Sequence, residues 1–139
     1  MRFVRKTKEK LLIKSLIRDF KNIAKRKIKH KRRFSFVLTG GPSPINLYRS
    51  LSKEKIEWRN VDFFWGDERL VQKNSKFSNY KLAKTNILKH IKISEKQIFS
   101  VDTVENSVSL SSQYYSRKIK KYFKYKKVVF DLVLLGMGD

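Results

Sequence analysis

The 139-residue sequence contains no cysteine. A disulfide scaffold, a thiol nucleophile and a zinc site built on thiolates are therefore excluded. Histidine occurs only twice, as His30 and His90, which leaves little for a cluster of imidazole metal ligands. Five glycines and two prolines are too few for a low-complexity or collagen-like chain. Acidic residues are scarce: 12 Asp plus Glu stand against 34 Lys plus Arg, a formal net charge of +22. No apolar run approaches the roughly 18–20 residues of a membrane-spanning helix. The start, Met1-Arg-Phe-Val-Arg-Lys6, is basic, but Lys14 and Arg18 interrupt the apolar stretch that follows, which argues against a cleaved secretory signal. Glu9 and Asp19 weigh against a transit peptide. The expectation is a soluble, cytoplasmic protein without a membrane partner.

What the chain has in excess is lysine. The densest cluster places Lys25, Arg26, Lys27, Lys29, Lys31, Arg32 and Arg33 within nine positions. Such a run has the charge to neutralise several phosphates of a nucleic acid. Lysine is nevertheless spread along the whole chain, together with many Asn, Ile, Ser and Phe, the bias of A/T-rich coding. Charge of that kind speaks to solubility and non-specific attraction rather than to a specific partner. No RNP-like, zinc-finger or KH signature accompanies it, so nucleic acid is not the expected partner.

Apolar periodicity organises the rest. Leu12, Leu16, Phe20 and Ala24 repeat at four, flanked by Ile13, Ile17 and Ile23, and predict a helix over 9–29. Phe34 to Thr39 reads as a strand that stops at Gly40-Gly41-Pro42. Ile45, Leu47, Tyr48 and Leu51 predict a short helix starting near Pro44. A second strand, Val61–Trp65, breaks at Gly66-Asp67-Glu68-Arg69, and after a polar loop Tyr80–Leu88 reads as helix. Ser94 and Gln97 have capping-box spacing, and Ile98–Val101 reads as a short strand. Val108, Tyr115, Ile119 and Tyr122 mark a long helix over about 106–124. Val128–Leu135 is a nearly all-apolar strand, as expected where helices cover both faces of a sheet. Trp58 and the tyrosines of the last helix read as core and rim. Strands alternating with helices give one α/β domain with a mainly parallel sheet over residues 1–139.

In such sheets ligands bind beyond the carboxyl ends of the strands. Three loops should converge there: Gly40–Pro44, Gly66–Arg69 and Gly136–Asp139. Adjacent Gly40 and Gly41 allow close backbone approach to a phosphate or carboxylate, and Ser43 adds a hydroxyl. Absence of a following Gly-Lys-Ser/Thr excludes a Walker loop. Asp67 is suited to accept a proton or a sugar hydroxyl, and Arg69 to hold phosphate through a bidentate pair. Ser78 and Asn79 fit either a helix cap or a ligand contact. Gly136 and Gly138 bring backbone N–H groups to the same edge. His30 and His90 lie in a basic stretch and just after a helix, and read as solvated residues.

Four segments, in this order and spacing, resemble the 6-phosphogluconolactonase family, within the sugar-phosphate group that includes glucosamine-6-phosphate deaminase. They are Val37-Leu-Thr-Gly-Gly-Pro-Ser-Pro-Ile-Asn-Leu-Tyr48, Trp58-Arg-Asn-Val-Asp-Phe-Phe-Trp-Gly-Asp-Glu-Arg69, Ser78-Asn79, and Phe130-Asp-Leu-Val-Leu-Leu-Gly-Met-Gly138. The Asp67-Glu68-Arg69 loop resembles the lactonases more than the deaminases. The resemblance implies a Rossmann-like three-layer fold and hydrolysis of 6-phospho-D-glucono-1,5-lactone to 6-phosphogluconate in the oxidative pentose phosphate pathway. It implies no metal or organic cofactor, and a small sugar-phosphate lactone as partner. It places Gly40, Gly41 and Ser43 at the substrate loop, Arg69 at the phosphate and Asp67 at the sugar hydroxyls. In the family the last Gly-Met-Gly runs into an Asp-Gly-His segment whose histidine is the expected general base. Here Asp139 is the final residue, and neither His30 nor His90 matches that position. The expectation is the N-terminal portion of a lactonase domain, incomplete at its C-terminus and inactive alone. Two other readings are a sugar-phosphate isomerase or deaminase of the same fold, and a basic binding module without catalysis.

Overall fold

The computed structural model describes residues 8–30, 32–103 and 107–136. The four-residue apolar repeat winds into α1 (Glu9–Lys29), which buries Phe20 and Ala24 while Leu12 stays part-exposed near its start. Strand β1 (Phe34–Leu38) follows, then α2 (Ile45–Leu51), β2 (Val61–Trp65) and α3 (Asn79–Asn86). The chain continues with β3 (Ile98–Phe99), α4 (Val108–Tyr122) and β4 (Leu132–Val133). All pairings are parallel, and the sheet order is β3-β2-β1-β4. The fold is therefore α/β and Rossmann-like, as the sequence predicts.

Side chains alternate across β1 and β2, and the two faces are covered by different helices. Phe34, Phe36, Leu38, Val61, Phe63 and Trp65 pack with Phe20 of α1, Leu47, Tyr48 and Leu51 of α2, and Ala83 of α3. Phe20 meets Phe34 and Phe36 edge-on at 5.1 and 5.0 Å. On the other face Phe64 stacks on Phe99 at 4.7 Å and meets Tyr122 of α4 at 4.9 Å. Each fully buried aromatic of this kind contributes about 1.5–3 kcal/mol.

Two carboxylates on or beside the sheet are neutralised by the basic stretch. Asp62, 1% exposed in β2, takes the Arg33 guanidinium through two bonds and the Tyr122 hydroxyl at 2.8 Å. That carboxylate raises the Arg33 pKa, chiefly by hydrogen bonding. Asp131 accepts Lys27 Nζ at 2.6 Å and the Ser35 N–H and Oγ at 2.8 Å each. Part of the 25–33 cluster is thus structural.

Two expectations about the strands are corrected. The strand predicted over Val128–Leu135 shrinks to two paired residues at the sheet edge, with Val129, Val133 and Leu135 at 58, 43 and 79% exposure. It pairs with β1 on one side only, and among the described residues Leu132 and Leu134 pack against the core while Val129, Val133 and Leu135 stay exposed. The helix marked by Val108, Tyr115, Ile119 and Tyr122 forms, with Val108 exposed in its first turn and Ser111 buried there. The strand predicted to reach Val101 pairs only through Phe99. The capping-box spacing does find use: Gln97 Oε1 accepts the Ser94 N–H at 3.0 Å and Gln97 Nε2 donates to Trp58 and Val61 carbonyls. No described helix is long and apolar enough to cross a membrane.

Candidate active site

The strand order fixes where a ligand sits. The chain runs outward from β1 to β2 to β3 and then returns to β4 on the far side of β1. The direction of winding reverses between β1 and β4, and the crevice beyond that switch point is where open α/β sheets bind ligands. The loops after β1 and β4 flank it, and a Cβ on Gly136 would lie 3.6 Å from Thr39 Oγ1. Gly138 falls outside the described residues.

The β1 loop is held from below by Tyr48, fully buried on α2. Its hydroxyl accepts the Thr39 N–H at 2.9 Å and donates to the Thr39 carbonyl at 2.8 Å. Tyr115 of α4 does the same from the opposite face for the end of β2, accepting the Trp65 N–H at 2.8 Å and donating to its carbonyl at 2.9 Å. Both phenols must stay protonated to serve as donors. Burial pushes Tyr115 up to about 12 and raises Tyr48 further, with the Asp67 charge adding to the latter. Tyr122 is likewise raised, first by burial and then by Asp62.

These shifts set a pH limit on the fold. A phenol whose folded pKa exceeds its unfolded value of 10.0 stabilises the fold fully below that pH. The contribution is lost as pH rises through the folded value, because the unfolded chain releases the proton first. Urea midpoints should therefore fall between about pH 10 and 12. The Tyr115→Phe variant should lose less over that interval than the parent, and an equal loss would show that this clamp does not titrate as described.

Beyond β2, Gly66 N–H donates to Leu38 O at 2.9 Å and extends the ladder by one bond. The chain then turns through Asp67, Glu68 and Arg69. Arg69 Nη1 lies 3.4 Å from Asp67 Oδ2, and both side chains are about half exposed, at 61 and 48%. Such a pair adds little stability, so both groups are available to a ligand. Glu68 behaves differently. Its carboxylate accepts the Asn79 N–H at 2.7 Å, the Tyr80 N–H at 2.8 Å, the Ser78 hydroxyl at 3.3 Å and the Arg69 N–H at 2.8 Å. It thereby satisfies the start of α3, a position that favours negative charge.

Ser78 takes the cap role, accepting the Lys81 N–H at 3.1 Å, and is buried with Asn79. Asn79 Nδ2 donates to the Asp67 carbonyl at 3.1 Å. Its amide also fills the space beside Gly40: a Cβ there would lie 1.9 Å from Asn79 Oδ1. Asn79 thus joins the loops after β1 and β2. Gly41, at φ 80°, has open space around it and faces outward with exposed Ser43. At the start of α2 the Ile45 N–H donates to Pro42 O at 3.2 Å.

The structure brings together Gly40, Gly41, Ser43, Asp67, Arg69 and Gly136, and sets Ser78 and Asn79 beneath them. Sequence reasoning missed Glu68, Tyr48 and Tyr115 as the groups that hold the loops. Nothing in their spacing announces these bonds, which span 9 to 50 positions. His30 ends α1 before β1, and His90 caps nothing at the site: its Nε2 lies 3.1 Å from Thr85 O, in the stretch that precedes β3. Among the described residues no group of three or more His, Asp or Glu is placed to hold a metal ion.

Known proteins share this fold. The family model described as glucosamine-6-phosphate isomerases/6-phosphogluconolactonase matches residues 7–139. A 6-phosphogluconolactonase from Nostoc sp. is 36% identical over 115 residues, covering 81% of this chain and 48% of the relative. The solved 6-phosphogluconolactonase from Trypanosoma cruzi superposes with a TM-score of 0.85 at 28% identity, over 97% of this chain and 58% of that one. The enzyme from Thermotoga maritima gives 0.80 at 27% identity, over 91% and 56%. The chain spans about half the length of the curated relatives it matches. The fold and a family match over residues 7–139 agree, and the chain belongs to the glucosamine-6-phosphate isomerase/6-phosphogluconolactonase family.

Proposed function

We propose that these residues form the substrate-holding part of a cytoplasmic 6-phosphogluconolactonase, which hydrolyses 6-phospho-D-glucono-1,5-lactone to 6-phosphogluconate in the oxidative pentose phosphate pathway. The observation that carries this reading is the half-exposed Asp67 and Arg69 pair held beside the Gly40–Gly41 turn at the sheet's switch point. Arg69 binds the phosphate through charge-assisted bonds, and Asp67 accepts sugar hydroxyls. Exposed Ser43 and the open Gly41 backbone contact the sugar. In this reading the loop after β4, which carries Gly136, supplies backbone N–H to the lactone carbonyl.

In the reaction a water oxygen attacks the lactone carbonyl carbon while a base takes its proton. Donors aimed at the carbonyl oxygen stabilise the tetrahedral oxyanion. Collapse breaks the ring C–O bond and leaves a carboxylate and a hydroxyl. The base best suited to neutral pH is an imidazole. His30 and His90 precede strands, at the edge away from the loops, and do not serve. The histidine of the family's Asp-Gly-His segment is the base in this proposal.

Calorimetric titration with 6-phosphogluconate tests this. The 139-residue chain should bind it, and Arg69→Ala should weaken binding at least tenfold, the loss of a charge-assisted pair of about 1.5–3 kcal/mol. Equal binding by parent and variant would remove Arg69 from the phosphate site. Lactone turnover by the 139-residue chain above spontaneous hydrolysis would overturn the assignment of the base.

A further inference from the structure

The opposite edge of the sheet carries a second anion-binding geometry. Arg33 immediately precedes β1, Arg59 lies two positions before β2, and Lys96 and Gln97 precede β3. With Lys92, Ile93 and Ser94 they line an open concavity of about 800 Å³. Because the strands are parallel, this edge is separated from the Gly40 and Asp67 loops by the length of β1 and β2. Five residues of strand span about 17 Å. The concavity is therefore distinct from the sugar-phosphate site.

Its charge is one-sided. Arg33, Arg59, Lys92 and Lys96 line it, and no acidic side chain does. The Arg33 charge is shared with buried Asp62, which fixes the guanidinium, and its Nη1 also donates to Arg59 O at 3.2 Å. Three of its five donors are engaged, leaving two. Arg59, Lys92 and Lys96 form no ion pair among the described residues. Nearby Glu57 lies outside the lining and accepts Asn60 Nδ2 at 3.1 Å. Beneath the cations, Gln97 is buried and bonded to Trp58 and Val61 carbonyls, which ties the turn carrying Lys96 to the start of β2. A fixed arginine beside these three cations, two of which, Arg59 and Lys92, also border Glu54 and Glu57 in an adjoining concavity, suits a compact ligand with several negative charges. A single phosphate would leave most of them unpaired, and an extended duplex would not enter a concavity of this size.

We propose that the concavity lined by Arg33, Arg59, Lys92 and Lys96 binds a small oligophosphate anion at a site separate from the sugar-phosphate site. The probe is inorganic tripolyphosphate, titrated calorimetrically into the 139-residue chain at 0.15 M ionic strength, where attraction between exposed charges beyond about 8 Å is largely screened. One saturating site is expected. The Lys92→Glu/Lys96→Glu pair should weaken it at least tenfold. The Lys10→Glu/Lys14→Glu pair, with the same charge change on exposed positions of α1, should change it less than twofold. Both pairs are checked for native circular dichroism, and in the unmodified chain the amides of Ile93 and Ser94 should shift on addition of tripolyphosphate. Excess 6-phosphogluconate should not displace the ligand. Equal weakening by both pairs, displacement by 6-phosphogluconate, absence of the amide shifts, or tighter binding of a single-stranded oligonucleotide would each overturn the proposal.

Discussion

Replacing Glu68 by alanine is expected to destabilise the fold by about 3 kcal/mol, the upper range of a single charge-assisted hydrogen bond. Four donors converge on this one carboxylate: two belong to the first residues of α3 and one to its cap, Ser78. Each bond to a charged acceptor contributes about 1.5–3 kcal/mol, but the contributions do not add, since water reaches the freed donors at a half-buried site. Glu68→Gln should cost roughly half as much, because an amide offers one acceptor oxygen and sets an N–H against a donor. Urea unfolding of the three proteins reads both numbers. Because Glu68 also fixes Arg69 N–H, the alanine variant should weaken 6-phosphogluconate binding even where the chain is still folded. A Glu68→Ala variant within about 0.5 kcal/mol of the parent, the range of an ordinary surface substitution, would mean that the α3 start is held by other groups.

The features legible in the sequence are those written locally. The 9–29 helix carries its four-residue repeat on its face, and the Val61–Trp65 strand reads as apolar and ends at a glycine. Loops that follow parallel strands gather at one edge whatever their composition, so topology alone places Gly40, Asp67 and Gly136 together. The misread elements are those decided by distant neighbours. Val128–Leu135 reads as a central strand because it is apolar, yet its burial depends on what lies beyond β1, and at this edge nothing described covers Val129 or Leu135. Glu68 reads as one more charge in a polar loop. Its role appears only when the chain brings residues 78–80 back against it, and neither periodicity nor a capping motif encodes that return. The same holds for Asp62, an acidic residue inside a strand that is tolerated because Arg33 and Tyr122 arrive from elsewhere.

Adjacent glycines in the β1 loop should respond to the same substitution for different reasons. Gly41 adopts φ 80° in open space, so Gly41→Ala meets backbone strain alone, about 1 kcal/mol. Gly40 is not among the residues at positive φ; its constraint is the Asn79 amide, buried and bonded to Asp67 O. Gly40→Ala must expel that amide. Overpacking of this kind costs about 1–3 kcal/mol, and the lost bond adds about 1 kcal/mol. The loss should extend to binding of 6-phosphogluconate, since Asn79 is what joins the Gly40 turn to the backbone of Asp67. A double-mutant cycle separates space from conformation. With Asn79→Ala in place, the atoms that crowd Gly40 are gone, and Gly40→Ala should cost under about 0.5 kcal/mol, a favourable coupling of about 2 kcal/mol. Gly41→Ala should cost the same in either background. If Gly40→Ala is equally costly in the Asn79→Ala background, the contact between the two loops is not what demands glycine at position 40, and the coupling of the Gly40 turn to Asp67 through Asn79 is refuted.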